Sequence, residues 1–156
     1  MIIFFSLTGS FISHKNQKRE KILEKILVML RLVCTQIGYF QSPIDVIIDK
    51  LSQNEELKIL DFLEICKENL NELDFPDAWR VSVEQSEIHK SDKELLLSFG
   101  FNMGTSNIEG QLSNCEMHKE LFENKLNSVR DKNRKNGKLY TALGIMTGCL
   151  IFVVLV

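Results

Sequence analysis

The stretch from Leu139 to Val156, LYTALGIMTGCLIFVVLV, is eighteen residues without a charge. As a helix rising about 1.5 Å per residue it covers roughly 27 Å, close to the hydrocarbon thickness of about 30 Å. Tyr140 stands where an interfacial aromatic stands, and Lys138 can snorkel to the headgroups. The alternative is a buried core helix, but such a helix is normally followed by a polar cap. After Thr147 only Cys149 interrupts the apolar run. Upstream, RDKNRKNGK sets Arg130, Lys132, Arg134, Lys135 and Lys138 against one Asp131. The excess of positive charge places that side in the cytoplasm. The expectation is a transmembrane helix over residues 138–156.

The N-terminus repeats the pattern more weakly. MIIFFSLTGSFIS is apolar over thirteen residues, and Lys15, Lys18, Arg19 and Lys21 follow it. Thirteen helical residues cover only about 20 Å, short for a span. A secretory signal carries its positive charges before the apolar run rather than after it. Residues 1–13 therefore read as a partial or truncated span with its C-terminal end inside. The plainer alternative is an unanchored apolar tail. If both ends insert, residues 14–137 form one cytoplasmic domain between them, which suits a chain of 156 residues.

Charge divides unevenly between these ends. From Gln41 to His118 there are six basic residues and sixteen acidic ones, a net −10, whereas both flanks are basic. An acidic surface repels phosphates, so nucleic acid is excluded as a partner and a basic protein surface is favoured. Cys34, Cys66, Cys115 and Cys149 are scattered without a CxxC pair. That argues against zinc and against a disulfide framework, and for small buried residues in a reducing compartment.

The domain reads as all-α. In EKILEKILVMLRLVCTQIGYF, the residues Ile22, Leu23, Ile26, Leu27, Leu30 and Val33 form a wide apolar stripe at helical spacing, with Gly38 as a stop. SPIDVIIDKLS predicts a second helix with Ser42 as N-cap, Pro43 at the first position and Asp45 in the first turn. ELKILDFLEICKENL predicts a third, with Leu57, Leu60, Leu63 and Leu70 near one face. A short fourth starts at Pro76, and a fifth at SDKELLLSFGFNMG with Ser91 and Glu94 as a capping box. A long last helix then runs into the membrane segment, broken by nothing except Gly110 and Gly137. No stretch alternates with period two, so the expected architecture is an antiparallel helical bundle.

No catalytic constellation stands out. His14, His89 and His118 are far apart, and there is no HExxH and no GxxxxGK[ST]. Cys115 and His118 are three apart on a helix and could serve as a thiolate pair or two metal ligands, but no third group accompanies them. No cofactor, metal or small-molecule substrate is expected. Three other features are candidates for interaction or structure. Asp61, Glu64, Glu68 and Glu72 recur at intervals of three and four, a face open to a basic partner, with Glu55 and Glu56 nearby. Gly144 and Gly148 form a small-xxx-small pattern that lets membrane helices approach closely. Trp79, the single tryptophan, reads as a core anchor, and Gly100, Gly104 and Gly110 allow a left-handed turn or a close helix approach.

The order of these features carries a resemblance: a basic leucine-rich first helix, a proline-opened second one, one Trp after an acidic stretch, then LLLSFGFNMGTSNIEGQ, a long charged helix and a terminal apolar helix from LYTALGIMTG. From Lys18 to Val156 the chain resembles stage III sporulation protein AB of endospore-forming bacteria, most firmly over Leu95–Gln111 and from Lys138 onward. That family opens on a full membrane span, longer than residues 1–13 provide. The resemblance implies a non-catalytic subunit of the channel-like apparatus joining mother cell and forespore. It also implies a cytoplasmic helical domain similar to the platform protein of type II secretion and type IV pilus machines. Its partners would be the other subunits of the stage III complex, including a secretion-type ATPase. Its place would be the cell membrane on the mother-cell side. A tail-anchored adaptor of another complex and a membrane-bound Cys/His enzyme are the alternatives in other classes.

Overall fold

A computed structural model describes the backbone of residues 2–103 and 106–155 and the side chains of residues 17–103 and 106–135. Among these residues there are six α-helices and no strand: α1 (Ile2–Gly38), α2 (Ile44–Ser52), α3 (Phe62–Asn69), α4 (Phe75–Gln85), α5 (Lys90–Asn102) and α6 (Ile108–Leu155), with a 3-10 turn at Glu55–Leu57. The long helices α1 and α6 pack along each other, and the four short ones stack in chain order, α2 on α3, α3 on α4 and α4 on α5. α5 returns to α6, and the 3-10 turn and α2 return to α1.

The α1–α6 pair is antiparallel. Gly38 faces Leu112, Arg31 faces Glu123 and Glu20 faces Arg130, so numbers rise on one helix as they fall on the other. The stripe of α1 is what this pairing buries: Leu23, Ile26, Met29 and Leu30 are inaccessible to solvent, and Phe122 lies equally deep on α6. A wide apolar face on a helix is stable only when another element covers it.

The second centre of the core is Trp79 on α4. It is 2% exposed, and its ring lies edge-on to Phe62 at 5.2 Å, with Phe75 and Phe99 at 5.6 and 5.8 Å. Its indole N–H donates to the Leu96 carbonyl at 2.8 Å, so the buried donor is satisfied. Gly100 on α5 makes this possible. A Cβ there would stand 2.1 Å from Trp79 Cδ1 and 2.4 Å from Nε1. The glycine serves a close helix approach, not a turn.

Several local starts and stops differ from those read in the sequence. Gly38 ends α1 but is not left-handed; that conformation belongs to Gln41, at φ 47°. The Ser42 N–H donates to the Gln36 carbonyl at 3.1 Å, closing the chain back on the end of α1 with Gln41 left-handed just before it. Ser42 consequently does not cap α2. Pro43 holds that position, and the Ser42 hydroxyl donates to Gln36 Oε1 at 3.1 Å. The third helix begins at Phe62, since Asn54 accepts the Glu56 N–H and starts a separate 3-10 turn; Leu57, Leu60 and Leu63 are buried all the same. Asp74 caps α4 ahead of Pro76. His89, not Ser91, caps α5, because the Ser91 hydroxyl is taken by Arg19 and Asp92. Gly110 and Gly137 lie inside α6 without breaking it.

Among the described residues no helix is long and apolar enough to cross a membrane. The side chains of the two apolar segments, residues 1–13 and 138–156, lie outside those described, as do Gly104, Gly144 and Gly148. α1 passes residue 13 and α6 passes residue 137 without interruption.

Gly→Ala in a helix normally adds up to about 1 kcal/mol of stability. At Gly100 the added methyl meets a buried indole ring, and overpacking of that kind costs about 1–3 kcal/mol. Gly100→Ala is therefore expected to destabilise the domain in chemical denaturation, with a lowered midpoint. A raised midpoint would mean that Trp79 has room to retreat.

Candidate functional site

The acidic residues of the third helix are all exposed, but they do not share one face. Glu64 and Glu68 stand one turn apart on α3. Asp61 is its N-cap residue, with no side-chain capping bond. Glu72 falls beyond the helix, which ends at Asn69. The cause is local: the Asn71 side-chain amide and backbone N–H both donate to the Glu68 carbonyl, at 2.9 and 3.3 Å, and turn the chain away. A pair of asparagines, Asn69 and Asn71, was the sequence signal for that stop.

Their charges are not equally free. Glu55 pairs with Lys58 at 2.6 Å and Glu56 with Lys25 at 2.7 Å. Asp61 lies near Lys18, whose pKa is raised mainly by its hydrogen bond to Glu87, with Asp61 adding a weaker pull. Glu64, Glu68 and Glu72 have no ion-pair partner among the described residues. Lys67, between the first two, is held by Asp49 at 2.7 Å. Glu64, Lys67 and Glu68 line a polar groove of about 280 Å³ with Ser52, Gln53 and Asn71, between the end of α2 and the end of α3. This groove can receive a basic side chain against two unneutralised carboxylates.

A second, apolar cleft of about 470 Å³ opens between α4 and α5. Trp79 is its floor, Pro76 and Leu97 line it, and Phe101 stands beside it 74% exposed. The Asp77–Arg80 ion pair, at 2.9 Å, sits at its rim.

Cys115 and His118 do not form a site together. Both are fully buried. The His118 ring packs edge-on against Phe99 at 5.4 Å, and its Nδ1 donates to the Asn114 carbonyl at 2.9 Å. Its Nε2 is buried with no hydrogen-bond partner. Asn114 in turn donates from Nδ2 to the Phe99 carbonyl at 3.1 Å, satisfying one of the last four carbonyls of α5. These residues dock α5 on α6. No cluster of three or more His, Cys, Asp or Glu among the described residues could hold a metal ion. Cys66 is inert: burial pushes its thiol pKa up to about 12.

Two polar arrangements had no sequence signature. One is the buried carboxylate of Asp92, held by Arg19 through two bonds of 2.8 Å. The other is the meeting of Cys34 with Cys115 across α1 and α6. In sequence each partner is more than seventy residues from the other.

Burial holds the His118 imidazole below the usual histidine pKa, so the folded domain keeps it neutral. As pH falls through about 6.5 the unfolded chain takes up this proton first and folding weakens, by up to about 1.4 kcal/mol per pH unit. Denaturation midpoints between pH 6.5 and 5 should show that slope, and His118→Gln should lack that part of it. An identical slope in the variant would assign it to other groups.

A family model for stage III sporulation protein AB matches residues 1–156, the whole chain. No curated protein and no solved structure matches the chain. By that match over its full length, the chain belongs to the stage III sporulation protein AB family.

Proposed function

We propose that this protein is a non-catalytic, membrane-anchored subunit of the stage III sporulation complex. Its helical domain faces the mother-cell cytoplasm as a platform between a secretion-type ATPase and the membrane part of that complex. The observation that carries this reading is the continuity of α6. It is one helix of 48 residues, about 72 Å at helical rise, from the domain core into the apolar C-terminal segment. A force or contact at the domain is thereby transmitted along a single rod.

The antiparallel register supports the topology, since it directs the N-terminal end of α1 and the C-terminal end of α6 the same way. Both ends are apolar, and both are bordered by basic residues that hold their inner sides in the cytoplasm. In this reading Leu139–Val156 spans the bilayer, and the groove at Glu64 and Glu68 is the surface on which a basic patch of the ATPase docks. Electrostatic steering brings such a patch to the acidic domain, and the contact weakens as salt shortens the screening length from about 10 Å to about 3 Å.

Deletion of residues 139–156 is expected to move most of the protein from the membrane to the soluble fraction after lysis. Retention at the intact level would transfer the anchor to the N-terminus.

Reversal of Glu64, Glu68 and Glu72 to lysine spares the Asp49–Lys67 pair and the helix start at Asp61. The helical circular dichroism should be unchanged, while capture of the cognate ATPase falls by roughly tenfold, the loss of a few exposed pairs. Full capture by the folded variant would move docking elsewhere, and the apolar cleft beside Phe101 is then the next surface to mutate.

A further inference from the structure

The register of α1 on α6 has a chemical consequence at Cys34. This residue stands one turn before Gly38, which faces Leu112, and Cys115 stands three residues beyond Leu112. Arg31 and Glu123, 4.0 Å apart, fix the register on the other side. The two cysteines thus face each other across the helix pair between these points, and each thiol perturbs the other. Neither cysteine is in a disulfide.

We propose that Cys34 and Cys115 are a peroxide-responsive dithiol that closes to an intramolecular disulfide and latches α1 to α6. Their surroundings divide the labour. Cys34 is half-buried and reachable from solvent, whereas Cys115 is fully buried. The neighbouring Cys115 thiol lowers the Cys34 pKa, with the Lys119 ammonium contributing a smaller pull in the same direction against burial, which raises it. The neighbouring Cys34, together with burial, raises the Cys115 pKa. A thiolate that is accessible and beside a resolving thiol is the arrangement on which peroxide acts.

The steps balance. The Cys34 thiolate attacks one oxygen of hydrogen peroxide, the O–O bond breaks, and Cys34 becomes a sulfenic acid as hydroxide leaves. Hydroxide takes the proton of the Cys115 thiol and becomes water. The Cys115 sulfur attacks the Cys34 sulfur, the S–O bond breaks, and the departing oxygen leaves as a second water once protonated by solvent, which recovers the proton first lost from Cys34. Two thiols lose two electrons in all, and one peroxide is reduced to two waters. The bond joins the two long helices near the C-terminal end of α1 and closes the chain from α2 to α5 into a loop between them, so any movement of α1 along α6 is stopped until a thiol reductant reopens it.

The test uses the full chain in detergent, treated with hydrogen peroxide, alkylated and digested without reductant. The expected product is a linked pair of peptides containing Cys34 and Cys115, lost on adding dithiothreitol, with Cys66 still alkylated. Cys115→Ser should instead accumulate a Cys34 sulfenic acid that dimedone traps, and Cys34→Ser should leave Cys115 reduced. If the wild-type protein carries Cys34 as sulfinic acid, as an intermolecular dimer or as an unreacted thiol, with Cys115 free, the proposal is overturned. The wild-type peptide map decides the matter even if a serine variant fails to fold.

Discussion

The carboxylate of Asp92 has no solvent exposure and sits in the first turn of α5. A charge in that position is tolerated only if it is paired and hydrogen-bonded, because desolvation alone costs several kcal/mol. Arg19 of α1 supplies two bonds in a fork, Ser91 adds a third, and Lys125 of α6 stands 3.9 Å away. Three helices are therefore obliged to meet at one point. The α1–α6 pair does not simply bury an apolar stripe; its rotation and height relative to α5 are set by a carboxylate that no other placement would neutralise. The pair stabilises little by itself, but removing one partner would strand the other charge.

A second constraint closes the other half of the domain. Trp79 occupies the space between α3, α4 and α5, against Phe62, Phe99 and the bare backbone at Gly100. The indole N–H reaches the Leu96 carbonyl one turn before that glycine. α5 is thus tied to α4 by Trp79 and to α1 by Asp92, which joins the short helices to the long pair. Glu64 and Glu68 are exposed on α3, where Lys67 is already committed to Asp49. That commitment is what leaves the two carboxylates open to a partner.

Asn114 of α6 bonds the Phe99 carbonyl of α5, and Ser82 of α4 accepts from Asn69 of α3, while His118 bonds a carbonyl of its own helix and packs its ring on Phe99. Glu64 and Glu68, the unpaired carboxylates of the polar groove, lie on one small helix, and the longest element leads toward the apolar end of the chain. The thiol pair lies across the same two helices that would carry a load between domain and bilayer.

Helix content, the apolar stripe of α1 and the burial of the leucines before α3 were legible in the sequence, because each depends on spacing within a few residues. So was the length of α6, since nothing in it breaks a helix. Caps were less legible: Ser42 and Ser91 have the right chemistry for an N-cap, but their hydroxyls are drawn off by Gln36 and by Asp92 with Arg19. The four acidic residues were periodic in sequence, yet Asn71 ends the helix before Glu72 can join the face. The pairings Arg19–Asp92, Trp79–Gly100 and Cys34–Cys115 left no local trace, because each joins residues from different helices. The sequence by itself determined the helices and their apolar faces, which follow from local spacing; only the tertiary structure decided which charge, ring and thiol meet, because that depends on how the helices rotate when they close on a shared core.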